Sequence, residues 1–254
     1  GLDKVTLEKC VQIVKNLLTG NAYATREELG KKIKEIGTFK SDITLTIALI
    51  LMYAELEGLI CSGPKKGKQF TYALLDERVP EGKVLTPEES LAELTYRYFQ
   101  SHGPATLQDF VWWSGLTTSD ARKGIALVKS KLIQEKIEGN TYWFIHVEIA
   151  KARESKMHLL PNYDEYIVGY KDRSFIFDNK HTSKLDARAN PLFQHTIILD
   201  GKVIGTWKRE VTKNSILLST NIFETLDKPL EKLLKYAVNQ FELYINKPIR
   251  EDTR

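Results

Sequence analysis

Apolar residues recur at three- and four-residue spacing over Leu7, Cys10, Val11, Val14, Leu17 and Leu18, which predicts a one-sided helix with Thr6 as its cap and Gly20 as its stop. Thr25, followed three residues later by Glu28, has the spacing of a capping box and opens a second helix running toward Ile36, with Gly37 beyond it. Ser41 or Thr38 is read as the cap of a third helix that continues to about Glu57 and ends at Gly58. Then come a short apolar run, Leu59 to Cys61, a polar glycine-containing turn, Ser62 to Lys68, and a second run, Gln69 to Leu74. That is strand, turn, strand. Three helices and a hairpin, in that order, predict a winged helix.

The same order begins again after a linker at 76–87 that contains Pro80, Gly82 and Pro87. Proline followed by two glutamates starts a helix, because proline fits the first turn and carboxylates favour the positive end of the helix dipole. This helix is expected to reach about Ser101. Ala105-Thr106-x-x-Asp109-Phe110 then repeats Ala24-Thr25-x-x-Glu28-Leu29 at the start of helix two. The third helix, Thr118 to about Lys131, places Ala121, Ile125, Val128 and Leu132 on one face. A hairpin follows, Leu132 to Ile137 and Thr141 to Ile145, with Gly139-Asn140 as its turn. Trp112 and Trp113 are read as packing residues.

From there the period changes to two. Residues 157–160, 165–177, Phe193 to Leu199, Lys202 to Arg209 and Ser215 to Ile222 give about five strands, with Asp200-Gly201 as a tight turn. Pro229 opens a closing helix with Leu230, Leu233, Leu234, Ala237, Val238, Phe241 and Ile245 on its apolar face, and the charged tail after Pro248 is expected to be loose. The expected fold is α+β: tandem winged-helix domains at 1–78 and 79–150, a small β-barrel-like domain at 151–227, and a C-terminal helix and tail at 228–254.

Charge changes this picture only in detail. The net charge of +4 over 254 residues is not concentrated in any one segment, so nucleic acid, if bound, is held by local patches. The third helix of the first unit has no basic residue between Asp42 and Glu57, which argues against major-groove reading by it and for apolar packing against a neighbour. Better placed are Lys65, Lys66 and Lys68 among the hairpin glycines, Arg122, Lys123 and Lys129 near the second unit's third helix, and Lys208 with Arg209 after the Asp200-Gly201 turn. The two cysteines, Cys10 and Cys61, make no metal-ligand spacing, and neither a phosphate loop nor a nucleophile elbow occurs. No metal or cofactor is expected. No signal peptide is present, and the longest apolar run, Ile47 to Ala54, is far below the ~20 residues of a spanning helix. A monomer in the cytoplasm, with double-stranded DNA as partner and no membrane, is the expectation. The chain starts at Gly1, so it is read as a piece of a longer protein.

One stretch is chemically denser than the rest. His158 to Arg173 carries three tyrosines, three carboxylates, a lysine and an arginine. Two readings stay open: a strand entering the sheet with half-buried tyrosines and a turn at Asp172-Arg173, or a polar cluster facing a cleft, with Tyr163, Asp164 and Arg173 as its wall.

This segment, Leu159-Leu160-Pro161-x-Tyr163-Asp164-Glu165-Tyr166-x-x-Gly169-Tyr170-x-Asp172-Arg173-Ser174, resembles the AlkZ-like family of bacterial winged-helix proteins. Leu199-Asp200-Gly201-Lys202-Val203-Ile204-Gly205-Thr206-Trp207-Lys208-Arg209 also resembles it, as do Gly58 to Leu74 and Asp109 to Leu116. The resemblance implies tandem winged helices, a small β-barrel, and DNA glycosylase action on alkylated or crosslinked bases. It also implies a catalytic Gln-x-Gln motif in a region N-terminal to the part seen here. No two glutamines of this chain have that spacing, so the chain is expected to be inactive alone and to serve as the DNA-gripping part. A winged-helix transcriptional regulator and a protein-interaction scaffold are the alternatives.

Overall fold

The computed structural model describes residues 3–35, 42–80, 82–146, 154–185 and 194–251. They form two compact units, residues 1–84 and 85–254. The segments expected separately at 79–150, 151–227 and 228–254 thus fall almost wholly in the second unit.

In the first unit, α1 (Lys4–Leu18) is capped by Asp3, whose carboxylate accepts from the Thr6 amide at 2.9 Å. Thr6, expected as the cap, is the donor one turn in. A short strand not expected from the sequence, β1 (Tyr23–Thr25), leads into α2 (Arg26–Lys34). The Thr25–Glu28 capping box is present, with both reciprocal bonds. Helix α3 (Ile43–Leu56) starts from Asp42, which accepts from Thr44 and Leu45; the expected caps Ser41 and Thr38 lie outside the described residues. β2 (Ile60–Ser62) and β3 (Thr71–Leu74) make the hairpin, and β1 adds to it on the far side of β3. One turn of helix, α4 (Leu75–Arg78), occupies the start of the expected linker; its Glu77 carboxylate accepts from the amides of Gly20 and Asn21. Cys10, Val14, Leu18, Leu29, Ile33 and Ile50 are the centre of the core. The outer side of α3 leaves Leu45, Leu49, Met52 and Leu56 exposed, so its apolar content exceeds what this core uses.

The second unit begins with the same order. Thr86 and Glu89 form the capping box of α5 (Pro87–His102). β4 (Ala105–Thr106) precedes α6 (Leu107–Ser114), which ends at Gly115 with φ 70. After α7 (Thr118–Val128), β5 (Ile133–Ile137) and β6 (Asn140–Phe144) form a hairpin, with β4 on the far side of β6. The turn differs from expectation by one residue: Glu138 and Gly139 take the positive φ values, and Asn140 already pairs with Ile137. Helices α5 and α7 approach so closely that any side chain at Gly124 would collide with the Thr95 hydroxyl.

A five-stranded sheet follows in the order β11-β10-β9-β8-β7, built from β7 (Met157–Leu160), β8 (His195–Leu199), β9 (Lys202–Val211), β10 (Ile216–Ile222) and β11 (Ile249–Glu251). It has a bulge at Ile197/Ile198 and a tight turn at Asp200 and Gly201, whose φ values are 47 and 86. One face buries Met157, Ile197, Trp207 and Leu218 against α9 (Lys228–Ile245), and the other buries Ile198 and Val203 with Ile167, Phe177 and Phe223.

Two expectations for the sheet fail. Residues 165–177 are no strand. Pro161 follows β7, Tyr163 takes φ 56, and Asp164 then caps a single helical turn, α8 (Glu165–Val168), by accepting from the Tyr166 amide. The fifth strand is instead the tail expected to be loose: Asn246 caps α9 in the left-handed conformation, the chain reverses, and β11 pairs in parallel with β10. Burying Ile249 beside the sheet core supplies the apolar contact that the tail's charge pattern concealed.

Candidate nucleic-acid interface

The repeated order of elements produces a repeated groove. In the first unit a cavity of about 670 Å³ is lined by Thr25 and Arg26 at the start of α2, Thr44 and Ile47 on α3, and Gln69, Phe70 and Tyr72 at the hairpin. In the second, one of about 690 Å³ is lined by Thr106 and Leu107 at the start of α6, Arg122 and Ile125 on α7, and Asn140, Thr141 and Trp143 at the hairpin. The strand pairings make these positions equivalent: Ala24 lies opposite Tyr72 as Ala105 lies opposite Trp143. The linings differ in chemistry. The first adds Lys34 and Lys31, the latter paired with Glu27 at 3.0 Å, whereas the second adds the amides of Gln108 and Gln134 together with Lys171, Asp109 and Asp172. Lys171 Nζ donates to Gln108 Oε1 at 3.3 Å, which turns the amide nitrogen the other way.

The dense stretch after β7 is a strap laid across α5 and α6. The Asp109 carboxylate, 3% exposed, receives the Thr106 amide (2.9 Å) and hydroxyl (2.7 Å) on one oxygen and the amides of Lys171 (2.9 Å) and Asp172 (3.2 Å) on the other. Tyr98 donates to the Gly169 carbonyl, Tyr170 to the His102 carbonyl, and Trp112 to the Val168 carbonyl. Glu165 joins His102 Nε2 at 2.9 Å and accepts from Trp113 Nε1 at 2.6 Å, while the His102 ring stacks on Tyr98. The tryptophans touch the strap, Tyr98 and Arg173 and have their polar edges used, but at 48% and 37% exposed they lie at the surface rather than in the core. Burial pushes the Tyr98 and Tyr170 phenols up from their ordinary range, so both stay neutral donors.

The three residues expected to line a cleft do not converge on one. Asp164 is the cap of α8. Arg173 turns inward, donating to the carbonyls of Ile167 (2.9 Å) and Lys171 (3.2 Å) with its guanidinium 5.2 Å from the Trp112 ring centre. Burial lowers its pKa against the opposing pull of Asp109 and Asp172. Tyr163 is 55% exposed. Their neighbours Lys171 and Asp172 line the second unit's groove instead. The hub residue Asp109 was visible in the sequence as half of a repeat and as the start of a family-like stretch, with no sign of its partners, and His102 carried no signal there.

Of the expected DNA-contacting cations, Lys65 lies over the Phe70 ring at 5.2 Å and Lys66 is paired with Glu28, whose carboxyl this lysine and the Thr25 amide hold down at about 2. Lys68 is exposed beside Gly67, which has φ 63. Arg122 lines the groove, Lys123 sits 3.9 Å from Glu88 on α5, and Lys129 is exposed in the turn after α7. Lys208 and Arg209 point to opposite faces of the sheet, as successive strand residues must. Arg209 covers Trp207 and Phe241 on the α9 side, while Lys208 is exposed on the other. No cluster of metal-ligating side chains occurs among the described residues, and none of their helices is long and apolar enough to cross a membrane.

The sequence matches the family DNA glycosylase AlkZ-like over residues 1–243. The chain belongs to that family. A curated AlkZ-like relative, the interstrand DNA cross-link repair glycosylase of Streptomyces sahachiroi, is 24% identical over 222 residues, covering 82% of this chain. The chain spans 59% of that relative's length. Among solved structures, the Streptomyces sahachiroi DNA glycosylase AlkZ superimposes with a TM-score of 0.70 at 20% identity, over 99% of this chain and 71% of that one. The mixed α+β fold, with its curled sheet and C-terminal helix, is the fold of that AlkZ structure.

Proposed function

We propose that this AlkZ-like chain is the DNA-gripping part of a DNA repair glycosylase for alkylated or crosslinked bases. In this reading 1–78 and 79–150 are winged-helix modules, 151–227 is a β-barrel-like module, and 228–254 closes it. The matched grooves carry the proposal: two units place the same helix start, the same third-helix positions and the same hairpin positions around one concavity each. In the first module Arg26, Lys31 and Lys34 with the hairpin lysines hold phosphate oxygens, and in the second Arg122 does so beside amides able to meet base edges. Base release is assigned to residues outside these 254. The working form is a monomer on double-stranded DNA, without metal or membrane.

The test is a fluorescent duplex titrated at several salt concentrations against the native chain and a Lys65→Ala/Lys66→Ala/Lys68→Ala variant. Weak, sequence-independent binding with a dissociation constant on the order of 10⁻⁴ to 10⁻⁶ M is expected, and the variant lowers the salt slope by ~0.9 for each phosphate that its missing lysines leave unneutralised. An unchanged slope removes the hairpin lysines from the interface. A second reading, a protein-interaction scaffold, is favoured by the exposed apolar side of α3 at Leu45, Leu49, Met52 and Leu56. Duplex binding undiminished in the triple variant would leave that reading standing.

A further inference from the structure

We propose that a cavity of about 320 Å³ in the second unit, walled by Tyr142, Tyr166, Tyr170, Phe175, Asp109 and Asp172, binds a small alkylammonium cation. It is lined by residues of the β5–β6 hairpin and of the strap, and Asp109 and Asp172 line the groove as well. The proposal stands apart from the nucleic-acid reading.

Three observations define the occupant. The first is charge: two carboxylates and no lysine or arginine are among the lining residues. The Tyr142 phenol feels this field, being pushed up first by burial and then by Asp172 and Asp109. The second is the aromatic wall. Four aromatic residues line the space, Phe175 packs edge-on to Tyr142 at 6.4 Å, and Phe175 stays 60% exposed. Rings attract a cation placed over their faces, most strongly where water is excluded.

The third observation is that most of the carboxylate oxygens of the wall already accept hydrogen bonds. Both Asp109 oxygens are occupied by the cap and the strap, and Asp172 Oδ1 accepts from the Ser174 amide. A primary ammonium entering here exchanges its water bonds for few others. An alkylated ammonium spreads its charge over methyl groups that need no bonds, and rings plus negative charge are what it requires. The volume is at the small end of ligand cavities, suited to a group of choline size.

The test uses choline, its neutral carbon analogue 3,3-dimethylbutan-1-ol, and methylammonium as probes, titrated into the intact chain by NMR. Choline is expected to shift resonances of Tyr142 and Phe175 and to bind about tenfold tighter than either of the other two, the range that desolvated cation–ring attraction supplies. Asp172→Asn and Phe175→Leu change exposed residues and should each weaken choline about fivefold to tenfold, within the same range. Circular dichroism of each variant separates lost binding from lost fold. Equal affinity for choline and its carbon analogue, no choline binding, or native affinity in both folded weakened variants overturns the proposal.

Discussion

Replacing Asp109 by alanine should cost far more than an ordinary cap substitution. The side chain completes the Thr106 capping box, and losing such a box costs about 1 kcal/mol. It also accepts the Lys171 and Asp172 amides, and without it these part-buried donors have no acceptor, at about 1 to 2 kcal/mol each. The expected loss is about 3 to 5 kcal/mol, against about 1 for Thr117→Ala, which removes only the cap of α7. Asp109→Asn should fall between. Its carbonyl can still face the strap amides, but its NH₂ group then meets the Thr106 N–H, so about 1 to 2 kcal/mol is lost. All four tryptophans, 112, 113, 143 and 207, lie in the second unit, so urea unfolding followed by tryptophan fluorescence reports this unit. If Asp109→Ala shifts the unfolding free energy no more than Thr117→Ala does, the strap is not anchored through Asp109 and the reasoning fails.

Glu28 should titrate near pH 2 by NMR, and Lys66→Ala should move its midpoint upward. Because the folded value lies below the ordinary 4.5, the pairing's contribution is complete above about pH 4.5 and lost as pH falls through about 2; a midpoint near 4.5 in the native chain would contradict the pairing. Ending the chain at Asn246 removes β11 with Ile249 and the Pro248 carbonyl that accepts from Ile216. About 2 kcal/mol of stability should go with them, read by the same urea curve, and an unchanged midpoint would mean the tail contributes nothing. Incubated with duplex DNA carrying alkylated bases, the chain should release none, since no two of its glutamines are spaced as Gln-x-Gln; multiple turnovers would refute this.

What the sequence determined by itself is the set of features whose cause lies within a few residues. The Thr25–Glu28 box, the Asp200-Gly201 turn, the β5–β6 hairpin and the start of α9 all rest on partners one helical turn or one tight turn away. Spacing therefore encodes them. The strap could not be read this way. Its composition announced dense chemistry, but Tyr98 reaches Gly169 across 71 residues and Asp109 reaches Lys171 across 62, and nothing local specifies such partners. Residues expected to face a cleft became a helix cap and an inward-turned arginine, because buried polar groups take whichever partners packing brings within reach. β11 is the same case in the sheet. Its charged sequence shows no strand period, and only the reversal at Asn246 and the open edge of β10 make it a strand, since a parallel partner is set by tertiary placement and never by a turn between neighbours.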